Sequence, residues 1–453
     1  MPETRVTGAP PLGGPGLLLE MVAAQKRGEA RGVWSACTAH PEVIDSVLRT
    51  ARELGTSALV EATCNQVNQE GGYTGATPAD FAASLHAAAE AAGLPADRVV
   101  FGGDHLGPHP WQGEPAETAM ARAREMVAQY TRAGAAKIHL DASMCLADDP
   151  PGALDPERGA ERTADLAAAA EAAHAGPEPP VYVIGTEVPI PGGEQADDAG
   201  PAVTRPEDAA RTVELTRAAF LARGLDEAWE RVVGLVVQPG VEFGEWRVHE
   251  YDPGAARDLT AFVEGIPGLV YEAHSTDYQK DSGLSALVRD HFAILKVGPG
   301  LTFAWREAIF ALAAIEDEWL GSRAGVTLSR VREVLDRVMQ DDPVHWRSYH
   351  RGDEAELRLA RQISLSDRIR YYWPRREVQA ALARLRANLE THPPPLPLLS
   401  QHVPGAYSAV REGRIARNPG EIARFRVREA IESYVRASGG PAAERLGSNG
   451  VEP

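Results

Sequence analysis

Between about residues 31 and 320, short apolar segments alternate with longer helical patterns, and this alternation limits the fold more than any other feature. The strand candidates are RGVWSACTAH (31–40), SALVEATCNQ (57–66), RVVFGGDHLG (98–107) and KIHLDAS (137–143), then VYVIGTEV (181–188), RVVGLVVQPG (231–240), GLVYEAHST (268–276) and FAILKVGPGL (292–301). Each is rich in β-branched residues and too short for a typical helix. The intervening stretches carry helix punctuation. One runs from Thr77 as N-cap and Pro78 at the first turn to Gly93; another closes at Gly55. Strands separated by helices pair in parallel through right-handed crossovers. Eight such units predict an α/β fold, a (β/α)8 TIM barrel over residues 17–321. The alternative, an open doubly wound sheet, lacks a Gly-rich dinucleotide fingerprint after its first strand.

From about 322 the strand signal stops. VTLSRVREVLDRVMQ, REVQAALARLRANLE and EIARFRVREAIESYVRAS read as amphipathic helices, with proline-rich 391–405 as an extended connector. This predicts a helical C-terminal extension, 322–437, packed on the barrel and covering one mouth. Residues 1–16 and 438–453 read as flexible tails. The length, 453 residues, would allow three domains. The pattern instead asks for one large barrel plus the extension.

With 44% hydrophobic and 24% charged residues the composition is that of a globular enzyme. A net charge of −18 repels nucleic-acid backbones and anionic lipid, so neither is expected as a partner. A small phosphorylated substrate stays open, because a local pocket can be basic. No apolar run reaches the ~18 residues of a membrane span, and the N-terminal residues lack signal-peptide order. Cys37, Cys64 and Cys145 are too few for a disulfide framework. A reducing cytoplasm fits best, and small buried hydrophobe is the expected role of Cys37 and Cys64.

A parallel barrel places its chemistry at the C-terminal strand ends. There the sequence sets Glu61, Thr63, Asn65 and Gln66, Asp104 and His105, Lys137, His139 and Asp141, then Glu187, Gln238, Glu272, His274, Asp277 and Lys296. In KIHLDAS, alternation puts Lys137, His139 and Asp141 on one face and Ile138 and Leu140 on the other. The polar face then lines the barrel interior. The competing account is a set of ion pairs that fill the barrel. His105, His274 and Glu187 have the chemistry of a divalent metal site, Zn²⁺ or a similar ion. No HExxH or CxxC supports it, and hydrogen-bonded neutral histidines are the alternative. Gly102 and Gly103 remove side chains at a strand end. Gly298 and Gly300 fall where barrels cradle phosphate with backbone N–H groups, or mark simple turns. Arg368, Arg370, Arg375 and Arg376 lie among aromatics in an acidic chain. They form either a sugar-phosphate contact from the extension or an ion-paired helix face. The glycine-rich loop after the fifth strand (190–206) reads as a candidate lid.

These strings together resemble the Z-subunit (GatZ/KbaZ-like) family of class II tagatose-bisphosphate aldolases. The matching segments include EATCNQVNQEGGYTG, GGDHLGPHPW, AGAAKIHLDASM, VIGTEVPIPGGE, VYEAHSTDYQ and SLSDRIRYYWP, and they span about residues 19–437. The resemblance implies a barrel related to zinc-dependent ketose-bisphosphate aldolases, with Mn, Ni or Mg as other metals. It also implies either an accessory subunit of a separate class II aldolase or a C4 epimerase of ketohexoses or their phosphates. An older kinase label for the family finds no Walker loop and no kinase Gly-rich loop here. By this resemblance Asp104-His105 is a base beside a metal ligand, and Glu187 and His274 are further ligands. Gln238 stands where a catalytic aldolase has a histidine. The expected chemistry is aldol-type cleavage of a sugar or sugar phosphate. Asp104 or Asp141 takes a proton, Lys137 or Lys296 balances charge, and Glu187 acts at the metal. Glu61, Asn65, Gln66, Lys137, His139, Gln238, Glu272, Asp277, Gly298, Arg368 and Arg370 are expected to contact substrate. A homo-oligomer is expected.

Overall fold

The computed structural model describes residues 13–185 and 200–448. Ten strands occur among them: β1 Val33–Cys37, β2 Ala58–Thr63, β3 Val99–Leu106, β4 Lys137–Leu140, β5 Val181–Ile184, β6 Val232–Val236, β7 Glu242–Phe243, β8 Val248–His249, β9 Val270–Ala273 and β10 Phe292–Val297. Eight close into a barrel in the order β1-β10-β9-β6-β5-β4-β3-β2, and every barrel pair is parallel. All eight expected strands are present. The small antiparallel pair β7–β8 was not expected.

The helix signals act as read. Thr77 caps helix Pro78–Ala92 in a capping box with Asp80, and Gly93 closes it in the left-handed region at φ 72°. The barrel interior is layered. Near the N-terminal ends Val33, Leu59, Val100, Val181, Val270 and Ile294 form a dry aliphatic layer. Helix Gly14–Lys26 presses Leu18, Met21 and Val22 into that layer and closes this end. Buried aliphatic side chains contribute about 1.5–3 kcal/mol each.

Helices continue beyond the last strand. Helix Pro419–Ser438 packs against helices Pro41–Leu54, Asp281–Arg289 and Pro299–Leu320, and so joins the outer ring. Residues 391–405 are not an extended connector: they contain helix Leu396–His402 and the start of helix Pro404–Arg411. Pro397 and Pro404 occupy first-turn positions, where a missing N–H costs nothing, and Pro393, Pro394 and Pro395 precede the first of these helices. Helix Gly440–Ser448 occupies much of the stretch that composition reads as a tail, and residues 14–16 already belong to a helix. No helix among the described residues is long and apolar enough to cross a membrane. The three cysteines are free.

Candidate functional site

Above the aliphatic layer the interior becomes ionic. Lys137, with no exposed surface, lies 2.8 Å from Glu61 and 2.7 Å from Glu272. Lys296 pairs with Glu61 and lies 3.3 Å from Asp104. Burial alone would lower both lysines. Glu272 and Glu61 outweigh it at Lys137, and Asp104 and Glu61 outweigh it at Lys296, so both are held protonated. Gly102 is required here: a Cβ would stand 2.9 Å from Glu61 Cγ. Ile138 and Leu140 face the outer core, as alternation demands.

The next layer departs from alternation. Asp104 follows Val100 and Gly102 on the inner face of β3, which should send His105 outward. A register shift between Gly103 and Leu106, with His105 at φ 49°, turns its ring inward as well. Gly103 accommodates the bulge, since a Cβ there would stand 2.5 Å from Leu106. His105, His139 and His274 therefore converge, with ring centroids 4.7–5.2 Å apart. With Asp104, each can offer a ligand atom within 4.8 Å of the others, and all four are buried.

Outer partners fix these rings. His105 Nδ1 lies 2.9 Å from Asp141, whose other oxygen accepts from Ser143 N at 3.1 Å and Ser143 Oγ at 2.6 Å. His274 Nε2 lies 2.9 Å from Glu272, and His139 Nδ1 lies 3.0 Å from Asp104. His139 Nε2 is buried and has no hydrogen-bond partner among the described residues. Burial pushes His274 down to about 4, despite Glu272, so it is neutral at pH 7. Burial would raise Asp104, but Lys296, His105 and His139 hold its carboxyl well below the usual range. Three oriented imidazoles, a carboxylate and an orphaned nitrogen fit a divalent ion of the zinc type. The His139 contribution was not foreseen; its parity with Lys137 carried the signal.

Asp104, His105 and His274 of the cluster line one wall of a cavity of about 1040 Å³, with His139 buried behind them. Asn65, Gln66, Asp104, His105, Asp141, His274, Asp277, Lys296, Gly298, Arg368 and Arg370 line it. His345, Tyr349, Tyr371 and Trp373 line it too, and these roof residues from beyond the barrel were not anticipated. Four expected substrate contacts are corrected: Glu61, Lys137, His139 and Glu272 lie beneath the cavity wall, with no exposed surface. Gln238 does not line it either. Its Oε1 accepts from Gly240 N at 2.8 Å and so stiffens a turn. The Gly298 phosphate cradle is also corrected. Asp277 Oδ1 already accepts from Gly298 N at 3.0 Å and Gly300 N at 2.7 Å, filling the start of helix Pro299–Leu320 with the protein's own carboxylate. Glu187 and most of the 190–206 loop lie outside the described residues.

Relatives agree with this architecture. The GatZ subunit of D-tagatose-1,6-bisphosphate aldolase from Salmonella gallinarum is 48% identical over 417 residues, covering 92% of this chain and 97% of its own length. The GatZ subunit of Salmonella newport is 47% identical over the same span. A solved structure described as a probable tagatose 6 phosphate kinase from Sinorhizobium meliloti superposes with a TM-score of 0.82 at 45% identity, covering 90% of this chain and all of that one. The family profile described as D-tagatose-1,6-bisphosphate aldolase subunit GatZ/KbaZ-like matches residues 18–439. On these grounds the chain belongs to the GatZ/KbaZ-like family of D-tagatose-1,6-bisphosphate aldolase subunits.

Proposed function

We propose that this chain catalyses metal-assisted aldol-type chemistry on a ketohexose or its phosphate. The observation that carries the reading is the buried convergence of His105, His139, His274 and Asp104, three of which (His105, His274 and Asp104) line the cavity. A divalent ion held by the three imidazoles, Zn²⁺ first and Mn²⁺, Ni²⁺ or Mg²⁺ as alternatives, would supply Lewis-acid polarisation of the sugar carbonyl.

The remaining roles belong to the chain. Asp104 is ionised and faces the cavity, so it is the base that takes the proton from the C4 hydroxyl. The C4 oxygen then becomes an aldehyde as the C3–C4 bond breaks, and the electron pair passes into an enediolate. Lys296, 3.3 Å from Asp104 and protonated, offsets the negative charge of that step. Because it is held charged, Lys296 is no Schiff-base nucleophile at neutral pH. Asp141 is engaged by His105 and Ser143 and acts as the orienting carboxylate, not the base. Release of the aldehyde makes an aldolase; rotation and re-closure make a C4 epimerase.

A second reading has its own support. The Salmonella relatives are described as subunits, and Gln238 supplies no histidine. On that reading the chain stabilises a separate class II aldolase without turning over sugar. The two part in one experiment. The purified chain is incubated alone with each metal and tagatose 6-phosphate, fructose 6-phosphate or tagatose 1,6-bisphosphate, and the sugars are followed by NMR. Conversion without a partner supports catalysis. No conversion, with activation of a co-expressed aldolase, overturns it.

A further inference from the structure

We infer that Arg368 and Arg370, on the turn that roofs the cavity, form a phosphate-binding subsite facing the metal-type cluster, and that the C-terminal helical region supplies the anion contacts a barrel usually makes at its last helix. The inference deepens the proposed aldol reading by naming the ligand's charged end.

Two observations meet. The ordinary phosphate position is filled, because Asp277 takes both Gly298 N and Gly300 N. A phosphate there would face a carboxylate. Across the cavity the charge is reversed. Arg368 is 5% exposed, and its Nη1 has no hydrogen-bond partner among the described residues. Its Nε donates to His345 O at 2.7 Å, and the guanidinium stacks 3.6 Å from the Tyr349 ring centroid. Arg370 donates to Asp367 O at 3.0 Å and to Tyr371 Oη at 2.8 Å. Among the described residues neither guanidinium has a carboxylate within 4.0 Å.

The acidic groups nearby are committed elsewhere. Asp367 is held by Arg306 at 2.9 Å and Thr302 at 2.6 Å. Asp342 pairs with Arg375. Asp277 faces Arg370 but is bound to the helix start. Burial, with Arg370 beside it, lowers Arg368, whereas Tyr371, Tyr73 and Asp367 raise Arg370 against its own burial, so Arg368 is the less compensated of the two cations. His345 stacks on Tyr371 at 4.6 Å and 14°, fixing the ring between the two guanidiniums. Two forked donors lining one cavity suit the several oxygens of a phosphate monoester.

The test uses the full chain, with metal chelated so that turnover plays no part. Calorimetry measures inorganic phosphate, a ketohexose 6-phosphate and the free ketohexose on wild type, Arg368→Gln and Arg368→Lys. We expect phosphate and the phosphorylated sugar to weaken about ten-fold or more in Arg368→Gln, and less in Arg368→Lys. The free sugar should stay within about two-fold. Equal phosphate affinity in wild type and Arg368→Gln, or no phosphate binding by wild type, overturns the inference. If the melting temperature shows that Arg368→Gln misfolds, Arg368→Lys decides alone, and unchanged phosphate affinity there is the overturning result. Arg368-dependent phosphate binding in a chain that converts no sugar would sink the catalytic reading and keep this one.

Discussion

Below the cavity, Lys137 lies 2.8 Å from Glu61 and 2.7 Å from Glu272, and Lys296 shares Glu61 and Asp104. Above it, Arg368 and Arg370 hold backbone carbonyls and aromatic rings, with no carboxylate in reach among the described residues. Both regions bury positive charge, which is costly unless it is compensated. Below, compensation is internal: Lys137, Glu61 and Glu272 are a scaffold that aims the histidines, while Lys296 and Asp104 carry that ionic layer up to the cavity wall. Above, part of the compensation is left to whatever enters the cavity. A charged residue at a strand end is therefore not evidence of substrate contact by itself; its partners decide.

The largest effect should come where scaffold meets ligand. Replacing His274 by Ala removes a proposed metal ligand and its bond to Glu272. Turnover should fall by roughly a thousand-fold or more, with a matching fall in bound metal by elemental analysis. The roof should not notice: phosphate affinity stays at its wild-type value. Retained turnover would break the assignment.

Stability separates the two regions next. Lys137→Met leaves Glu272 buried without its lysine and Glu61 with Lys296 alone, and should cost about 3–5 kcal/mol in urea denaturation. A loss under about 1 kcal/mol would mean that the layer is hydrated and the scaffold reading is wrong. Removing Arg368 strands no carboxylate, so Arg368→Gln should be the milder change.

How much of this was legible follows from where strict periodicity holds. The eight strands and the inward face of Lys137 and His139 came from patterns of period two and from helix caps. The pairing of Asp104 with His105 on one face did not, because it needs a bulge and a positive φ at His105. GGDH carried the hint, but alternation argues against it. Gln238 and Gly298 were misread because their hydrogen bonds are local: a side chain to its own turn, and a helix start to Asp277. Arg368 and Arg370 were legible as a basic group. Their lack of carboxylate partners was not, since it depends on Asp367 turning to Arg306, 61 residues away in sequence.

Asp277 sits between the two regions and gives the smallest, most conditional prediction. Burial raises its pKa from 3.8 to about 6, although Gly300 N and Gly298 N donate to it and Arg370 attracts it. Unfolded, the carboxyl loses its proton near pH 4; folded, it keeps it to about pH 6. Between those values the folded state binds more protons, so this group's contribution to stability falls as pH rises. Asn keeps an oxygen for the two N–H groups and cannot ionise. Asp277→Asn should therefore gain on wild type by about 2–3 kcal/mol between pH 4 and pH 8, read as the difference between two urea titrations. Adding Arg370→Gln removes an attraction that limits the shift, so the window should move to higher pH. A flat difference, or one of opposite sign, would mean that Asp277 is solvated, and the filled helix start would no longer explain why phosphate is sent to the roof.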